Sequence, residues 1–278
     1  MSGTGLSQRR AGGILVIGAG HMGGALVKGC VAAKIRPLFV VEPHPSPPIR
    51  ALARARKIRL HKTVDEIGNR RIRACAIALK PQVLKTEAPN LKPVARSGAL
   101  MLSIAAGTRI ATLAKAWGRG ARIVRAMPNT PGAVGKGISA IFAPRNIGPA
   151  DRRLAVMLLS ALGQTIWVRE ESLLDPVTAV SGSGPAYVFL MVEALAAAAE
   201  QQGLPRADAM SLARATVIGS GALLDADPRD AAELRKAVTS PHGTTEAALD
   251  ILMSPRGLPE LIARAVSAAT KRAKELGA

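Results

Sequence analysis

The first 170 residues alternate short runs of β-branched and apolar residues with amphipathic stretches. This pattern predicts strands at Ile14–Ile17, Leu38–Val41, Ala74–Leu79, Ala99–Ser103, Arg122–Ala126, Ile138–Phe142 and Thr165–Val168. Helices are predicted between them, for example at Met22–Ala33 and Arg153–Leu162. Such alternation is typical of an α/β fold, in which helices cover both faces of a mostly parallel, doubly wound sheet.

After Glu171 the pattern changes to segments rich in alanine and leucine, with helical periodicity and no convincing strand. The predicted helices are Pro185–Gln202, Arg206–Asp225, Asp230–Ala237, Thr245–Met253 and Pro259–Leu276. We predict a disordered lead at 1–13, a sheet domain at 14–170 and an all-helical domain at 171–278. The run Ala194–Ala199 is apolar on nearly all sides, which favours packing against another subunit.

The composition gives this chain enough apolar material for two domains. It has 278 residues, of which 48% are hydrophobic, and this excludes a largely disordered protein. The longest nearly apolar stretch, Tyr187–Ala199, contains Glu193 and falls short of the ~18–20 residues that a membrane-spanning helix needs. We therefore expect no membrane partner.

Charge is distributed unevenly between the two parts. Residues 1–170 contain 28 Lys and Arg against six Asp and Glu, whereas the remainder contains ten against 13. A basic half indicates an anionic partner, either a polynucleotide or a small phosphorylated molecule, although many of these side chains can also be ordinary solvated surface. The chain has only six aromatic residues, which is few for a surface that stacks single-stranded bases.

The cysteines and histidines favour a reducing compartment without a metal site. Cys30 and Cys75 lie in apolar segments and match no CxxC spacing, which excludes a disulfide framework and indicates a cytoplasmic protein. The four histidines form no HxxxH or HExxH pair, so we expect no protein-bound metal.

A glycine-rich loop, GAGHMGG, begins at Gly18, directly after the first predicted strand and at the start of a helix. Glycines in this position allow a tight turn and a close backbone approach, so that the free N–H groups of the helix can hold a pyrophosphate. We expect this loop to bind a dinucleotide. The alternative is a turn that serves only helix–strand packing.

Glu42 stands 22 residues after Gly20, at the end of the next predicted strand. An acidic residue there commonly accepts hydrogen bonds from the adenosine ribose and disfavours a 2′-phosphate. His44, Ser46 and Arg50 follow it and could hold that phosphate instead. The pattern favours NADH as the cofactor and does not exclude NADPH.

Polar or glycine-bearing turns also follow three later strands, at ALKPQ (78–82), SIAAG (103–107) and MPNTP (127–131). Ligands of open α/β sheets bind beyond the carboxyl ends of the strands, so these turns suggest one crevice. In the helical part, VSGSGPAY (180–187) and SPHGTT (240–245) place hydroxyls and glycines before helices. Each can form a carboxylate-sized anion site or simply an N-cap.

The order GAGHMGG, ALKPQ, SIAAG, RAMPNTP, SGSGPAY and SPHGTT resembles pyrroline-5-carboxylate reductase, the last enzyme of proline synthesis, from about Ile14 to Leu252. The resemblance implies a Rossmann-like domain followed by an all-helical dimerisation domain, in a homodimer or a larger ring of dimers. It also implies reduction of Δ1-pyrroline-5-carboxylate to L-proline by NADPH or NADH.

The same resemblance implies roles for individual residues. The cofactor would contact Gly18, Ala19, Gly20, His21, Met22, Gly23, Ala78, Leu79, Lys80 and Pro81, with Ile104, Ala105 and Ala106 beside the nicotinamide. The substrate would contact Asn129, Glu171, Ser240, Gly243 and Thr244, and Thr245 would be the catalytic residue, with its hydroxyl at the ring nitrogen.

Three residues depart from the family pattern. His21 stands where asparagine is common, and Gly23 replaces a frequent alanine, which is a conservative change. His242 replaces the first glycine of the usual SPGGTT. If that position needs a positive φ, histidine adopts it only at a cost, and this would affect substrate affinity.

Other functions compete with this one. A β-hydroxyacid dehydrogenase, or another imine reductase of the same fold, would share the glycine loop, but the former uses a catalytic lysine and no lysine occurs between Lys136 and Lys236. A nucleic-acid-binding protein could use the nine Lys and Arg of Arg50–Arg73, although no recognition motif accompanies them. A cofactor-binding protein without reductase activity is the third alternative.

Overall fold

The computed structural model describes residues 12–277, and its strands form one eight-stranded sheet. The strands are β1 (Gly13–Ile17), β2 (Leu38–Val41), β3 (Arg59–His61), β4 (Ile72–Ile77), β5 (Leu100–Ser103), β6 (Arg122–Met127), β7 (Gly137–Phe142) and β8 (Gly163–Trp167). Their order in the sheet is β3-β2-β1-β4-β5-β6-β7-β8. All neighbours pair in parallel except β6 and β7, which are antiparallel. The predicted mostly parallel sheet is confirmed.

The sheet is buried on both faces, which explains why its central strands are continuous apolar runs. Along β1, Ile14 and Val16 point into one core cluster, and Leu15 and Ile17 point into a second cluster on the opposite face. Helices cover both faces between the strands: α1 (His21–Ala32), α2 (Pro47–Arg54), α3 (Pro81–Glu87), α4 (Lys92–Arg96), α5 (Ile110–Trp117) and α6 (Pro149–Leu159).

The seven predicted strands are all present, and β3 is an additional strand that the sequence pattern missed. It has three residues, is exposed or half-buried, and lies at the edge of the sheet inside the basic segment. A short edge strand with a single apolar residue, Leu60, contains no apolar run and is too short to show an alternation of apolar and polar residues.

The part of the chain after β8 is helical, as predicted. A single turn, α7 (Leu174–Val177), precedes α8 (Gly184–Gln201), α9 (Arg206–Ala226), α10 (Ala231–Ala237), α11 (Thr244–Leu252) and α12 (Leu258–Gly277). An Asp230 side chain that accepts from the Glu233 N–H, in a reciprocal capping box, starts α10.

The described residues divide into two compact units, one of 12–182 with 269–277 and one of 183–268. Residues 171–182, which the sequence assigns to the helical domain, belong to the first unit because Glu171 and Asp175 pair with arginines of that unit. The predicted disordered lead at 1–13 lies outside the described residues except for Gly12 and Gly13, and Gly13 begins β1.

One helical run, Glu171–Gln201, is long and apolar enough to cross a membrane by length and composition alone, with little of it buried in the single chain. This run is longer than the 13-residue apolar stretch Tyr187–Ala199, because it also includes the polar and small residues that precede Tyr187. A core helix of a protein outside membranes passes the same test, so the expectation of no membrane partner stays a prediction. On α8, Phe189 and Leu190 are 62% and 63% exposed.

Candidate active site

The strand order reverses direction between β1 and β4. From β1 the chain moves outward to β2 and β3, then returns to β4 on the other side of β1. The turns after β1 and β4 therefore diverge and leave a crevice at the carboxyl ends of the two strands, the usual ligand site of such sheets. The predicted motifs GAGHMGG and ALKPQ occupy these two turns.

The glycine loop is shaped by close backbone approaches. Gly18 has φ +84°, and a Cβ there would stand 2.9 Å from the carbonyl oxygen of Ala78. A Cβ at Gly23 would collide with the Gly18 carbonyl oxygen and the Ala78 side chain. Alanine at position 23, although small, would require a shift of this backbone. The expectation that Gly23 is a conservative replacement of alanine is therefore wrong for this backbone, which has no room for a Cβ there.

Gly20 differs from these two, because a Cβ there would meet no atom within 4 Å. It is the exposed N-cap of α1, and no side chain caps the helix. The first N–H groups of α1 have no partners within the helix, so an anion can approach them across Gly20. Beside it, His21 is exposed and Met22 is half-buried in the first turn. This cradle suits a pyrophosphate.

Glu42 lies at the end of β2, and its carboxylate is held by the glycine loop. Oε2 accepts a 2.8 Å hydrogen bond from the Ala19 N–H, and Oε1 accepts a 3.0 Å hydrogen bond from the His44 N–H. Glu42 also lines a cavity of about 600 Å³ that extends from Gly18 to Leu79 and Leu91. Glu42, which is predicted to contact the adenosine ribose, therefore lies next to the loop that is predicted to bind the pyrophosphate.

The turn after β4 lies beside the loop, and the turn after β5 lies next to it. The Ala78 N–H donates to the Ile17 carbonyl at 2.8 Å, and the Ile104 N–H donates to the Ile77 carbonyl at 3.0 Å. Lys80 is the N-cap of α3 and Pro81 its first residue. Ile104 and Ala105 are buried, with Ala106 half-buried at the surface of the crevice. These residues share one edge of the sheet, as expected from the motif order.

Asn129 follows β6 and joins two segments. Its Nδ2 donates to Ser181 Oγ at 3.1 Å, and its Oδ1 accepts from the Ile138 N–H at 2.9 Å. Ser181 comes from the SGSGPAY motif, so two motifs far apart in sequence meet here.

Glu171 has partners within the protein that the sequence did not predict. Its Oε1 accepts from the Ile110 N–H at 2.7 Å and forms a 2.8 Å ion pair with Arg125 Nη1. The Arg125 side chain is 4% exposed, whereas that of Glu171 is 23% exposed. In the structure this carboxylate connects β6 to the start of α5. A role at the substrate stays a prediction.

A second buried ion pair lies nearby. Arg109 Nη2 donates to Asp175 Oδ2 at 2.6 Å, and the Asp175 side chain is 3% exposed. The sequence pattern predicts no role for Arg109 or Arg125, whereas Ser181 belongs to the predicted motif SGSGPAY. The signal for Arg125 was a charge between the apolar residues Val124 and Ala126, in the buried middle of β6.

In the second unit, the SPHGTT motif forms the turn between α10 and α11. Gly243 is the N-cap of α11, and Thr244 and Thr245 are its first residues, with no side chain capping the helix. A Cβ at Gly243 would collide with Ser240 Oγ, so a larger residue here would displace the Ser240 hydroxyl. The free N–H groups of this first turn can hold a carboxylate.

His242 does adopt a positive φ, +57°, as the comparison with the family glycine anticipated. Its N–H donates to Glu246 Oε2 at 2.6 Å, which anchors the turn against the following helix. Left-handed backbone costs a non-glycine residue about 1–2 kcal/mol. The strain predicted for this departure is present.

Burial raises the pKa of the Cys30 thiol to about 12 and that of Cys75 further still. Both cysteines are free and buried, so neither supplies a thiolate near neutral pH. Within 12–277, no three or more His, Cys, Asp and Glu residues group as metal ligands would.

Residues 171–276 match the family model described as pyrroline-5-carboxylate reductase dimerisation. The pyrroline-5-carboxylate reductase of Pseudomonas aeruginosa is 37% identical over 269 residues, which cover 95% of this chain and 96% of that one. The enzyme of the same name from Synechocystis is 38% identical over 94% of this chain and 97% of its own.

Solved structures of enzymes with this name superpose on nearly the whole chain. A pyrroline-5-carboxylate reductase from Coxiella burnetii superposes with a TM-score of 0.87 at 34% identity, covering 96% of this chain and 99% of that chain. A Plasmodium falciparum pyrroline carboxylate reductase with NADP bound has a TM-score of 0.81 at 28% identity, covering 96% and 98%. The predicted fold class, a Rossmann-like sheet followed by a helical dimerisation region, is confirmed.

Proposed function

The chain belongs to the pyrroline-5-carboxylate reductase family, and we propose that it reduces Δ1-pyrroline-5-carboxylate to L-proline with NAD(P)H. The observation that carries this proposal is the 37% identity to the Pseudomonas aeruginosa enzyme over 95% of the chain, together with a glycine cradle at the switch point of the sheet. Proline synthesis is then the pathway that it serves.

The residues of the first unit fit a dinucleotide. The N-terminus of α1 and the space over Gly20 would receive the pyrophosphate, and the cavity beside Glu42 would receive the adenosine. The turn at 104–106 would then face the nicotinamide. Bound NAD(P)H supplies the hydride for the reaction.

The substrate carboxylate would bind at the start of α11. Thr244 and Thr245 offer N–H groups there, and the Thr245 hydroxyl would hydrogen bond to the ring nitrogen. The Gly243 N–H, which was also expected to contact the substrate, donates to the Ser240 carbonyl at 3.1 Å instead. Ser240, whose hydroxyl lies against Gly243, supports the shape of this turn. Asn129, which the hydrogen bond with Ser181 holds in place in the first unit, stays a predicted substrate contact.

The reaction requires little acid–base catalysis from the protein. A protonated imine is already electrophilic, so hydride addition at C5 converts the C=N bond to the C–N bond of proline without a strong general base. Rate enhancement would come from alignment of C5 with the hydride and from anchoring of the carboxylate. The described ion pairs of Glu171 and Asp175 would hold the surrounding segments in place.

An oligomer follows from the dimerisation match over 171–276. Its finer form would be a homodimer or a ring of dimers, which would cover apolar side chains such as Phe189 and Leu190 of α8. A cytoplasmic location, with neither nucleic acid nor membrane as partner, accords with a biosynthetic substrate of this size.

The direct test is oxidation of NADH and of NADPH by the purified chain. We expect absorbance of the reduced nicotinamide to fall only when Δ1-pyrroline-5-carboxylate or a close cyclic imine acid is added. β-Hydroxyacids with NAD⁺ or NADP⁺ as hydride acceptor serve as the control reaction, in which the absorbance of the reduced nicotinamide should not rise. Absence of turnover with both cofactors, in a folded sample that binds one of them, would refute the reductase proposal and leave a cofactor-binding protein.

A further inference from the structure

We infer that Glu42 makes this chain selective for NADH by excluding the 2′-phosphate of NADPH from the adenosine cavity. The inference rests on the proposed function and adds to it the identity of the preferred cofactor. It starts from the placement of one carboxylate at the end of β2.

The carboxylate of Glu42 is fixed in position. Each of its oxygens accepts one backbone hydrogen bond, from Ala19 at 2.8 Å and from His44 at 3.0 Å. Ala19 is a buried residue of the glycine loop itself, so the carboxylate has a set distance from the cradle that would hold the pyrophosphate. Turning it away would leave the N–H of a buried residue without an acceptor.

The segment after Glu42 is stiff and brings no arginine or lysine to the cavity. Residues 43–48 contain four prolines, and the next basic residue is Arg50, which lies exposed on α2. Proline restricts the backbone, so this segment has little freedom to rearrange and pair a cation with a phosphate. Among the described residues, no ion pair neutralises Glu42.

The charged residues that line the cavity besides Glu42 leave it with an excess of negative groups. Lys62 and His44 line it, but so do Asp65 and Glu87. Three carboxylates therefore face one ammonium and one imidazole. A 2′-phosphate would add further negative charge beside Glu42, and like charges brought together disfavour a ligand strongly. A 2′-hydroxyl would instead donate a hydrogen bond to the same carboxylate.

The test measures binding without turnover. Isothermal titration calorimetry of the full chain with NADH and with NADPH gives the ratio of the two Kd values, and we expect NADH to bind at least about tenfold more tightly. In Glu42→Gln, which removes the charge and keeps a carbonyl acceptor, we expect the ratio to fall toward one. Glu87→Gln is the matched control, because it removes a carboxylate of the same cavity whose only hydrogen bond within residues 12–277 comes from Asn90. We expect it to keep the wild-type ratio.

Adenosine 2′,5′-bisphosphate and 5′-AMP, titrated in the same way, confine the comparison to the adenosine end. Equal affinity for NADH and NADPH in the wild type, or an unchanged ratio in Glu42→Gln, would overturn the inference and leave the reductase proposal intact. Failure of a folded sample to bind either cofactor would overturn both.

Discussion

Replacement of Glu171 by alanine distinguishes a structural from a substrate-binding role for this residue. The resemblance to the family places Glu171 near the substrate, whereas in the structure its Oε1 holds Arg125 and the Ile110 N–H. If these contacts are its main role, Glu171→Ala lowers stability far more than it changes substrate affinity.

The expected loss in the free energy of unfolding follows from the two groups that lose their partner when Glu171 is replaced. The Arg125 side chain is 4% exposed, and its Nε already lacks a hydrogen-bond partner within the described residues. Removing one member of a buried ion pair costs about 3–5 kcal/mol. The Ile110 N–H loses its acceptor as well, at about 1 kcal/mol. Because Glu171 is 23% exposed, water can reach part of this site, and we expect a net loss of about 3 kcal/mol.

Thermal unfolding followed by circular dichroism measures this loss. At about 2–4 °C per kcal/mol for a chain of this size class, the melting temperature should fall by about 6–12 °C. Glu170→Ala is the matched control, since Glu170 is exposed and its carboxylate, in the described part of the chain, accepts only from Ser172 Oγ. We expect the control to stay within about 0.5 kcal/mol of the wild type.

The KM for Δ1-pyrroline-5-carboxylate completes the comparison. An unchanged melting temperature together with a KM raised about tenfold, or about 1.4 kcal/mol of lost binding, would refute the structural argument. It would place Glu171 at the substrate.

Three further predictions concern other parts of the chain. Thr245→Ala should raise the KM for Δ1-pyrroline-5-carboxylate or lower kcat while the Kd of NADH stays nearly constant. The control Thr239→Ala, which removes a hydroxyl that among the described residues donates to the Arg235 carbonyl, should leave all three constants unchanged. A large loss of NADH binding in Thr245→Ala would contradict the role given to Thr245. Ala197→Glu, on the exposed surface of α8, should abolish the oligomer and the activity together, whereas the control Lys28→Glu on α1 should keep both. Light scattering that shows a fully active 28.8 kDa monomer would contradict the need for an oligomer. Because burial raises the pKa of Cys30 to about 12, a thiol reagent at about pH 8 should modify neither cysteine until the chain unfolds, and rapid labelling of the native protein would contradict this burial.

Patterns along the chain were sufficient for the elements that have large apolar surfaces. The strand Leu38–Val41 has the same bounds in sequence and structure, and α9 differs only at its last residue. The period of hydrophobic residues is a local property, and burial on one or both faces follows from it. The sequence also predicted correctly that the turns after β4, β5 and β6 share one edge, because the carboxyl ends of parallel strands meet there.

The sequence by itself thus determined the fold class, the glycine cradle and the family. Tertiary structure decided the short edge strand β3, the partners of Glu171 and Asp175, and the two N–H donors that fix Glu42. It also decided that Gly23 tolerates no Cβ and that His242 lies in the left-handed region. These features depend on distances between segments that are far apart in the chain, or on a backbone angle set by its surroundings. Periodicity and composition carry no information about such distances, because they record which residues seek burial and not which partners they meet.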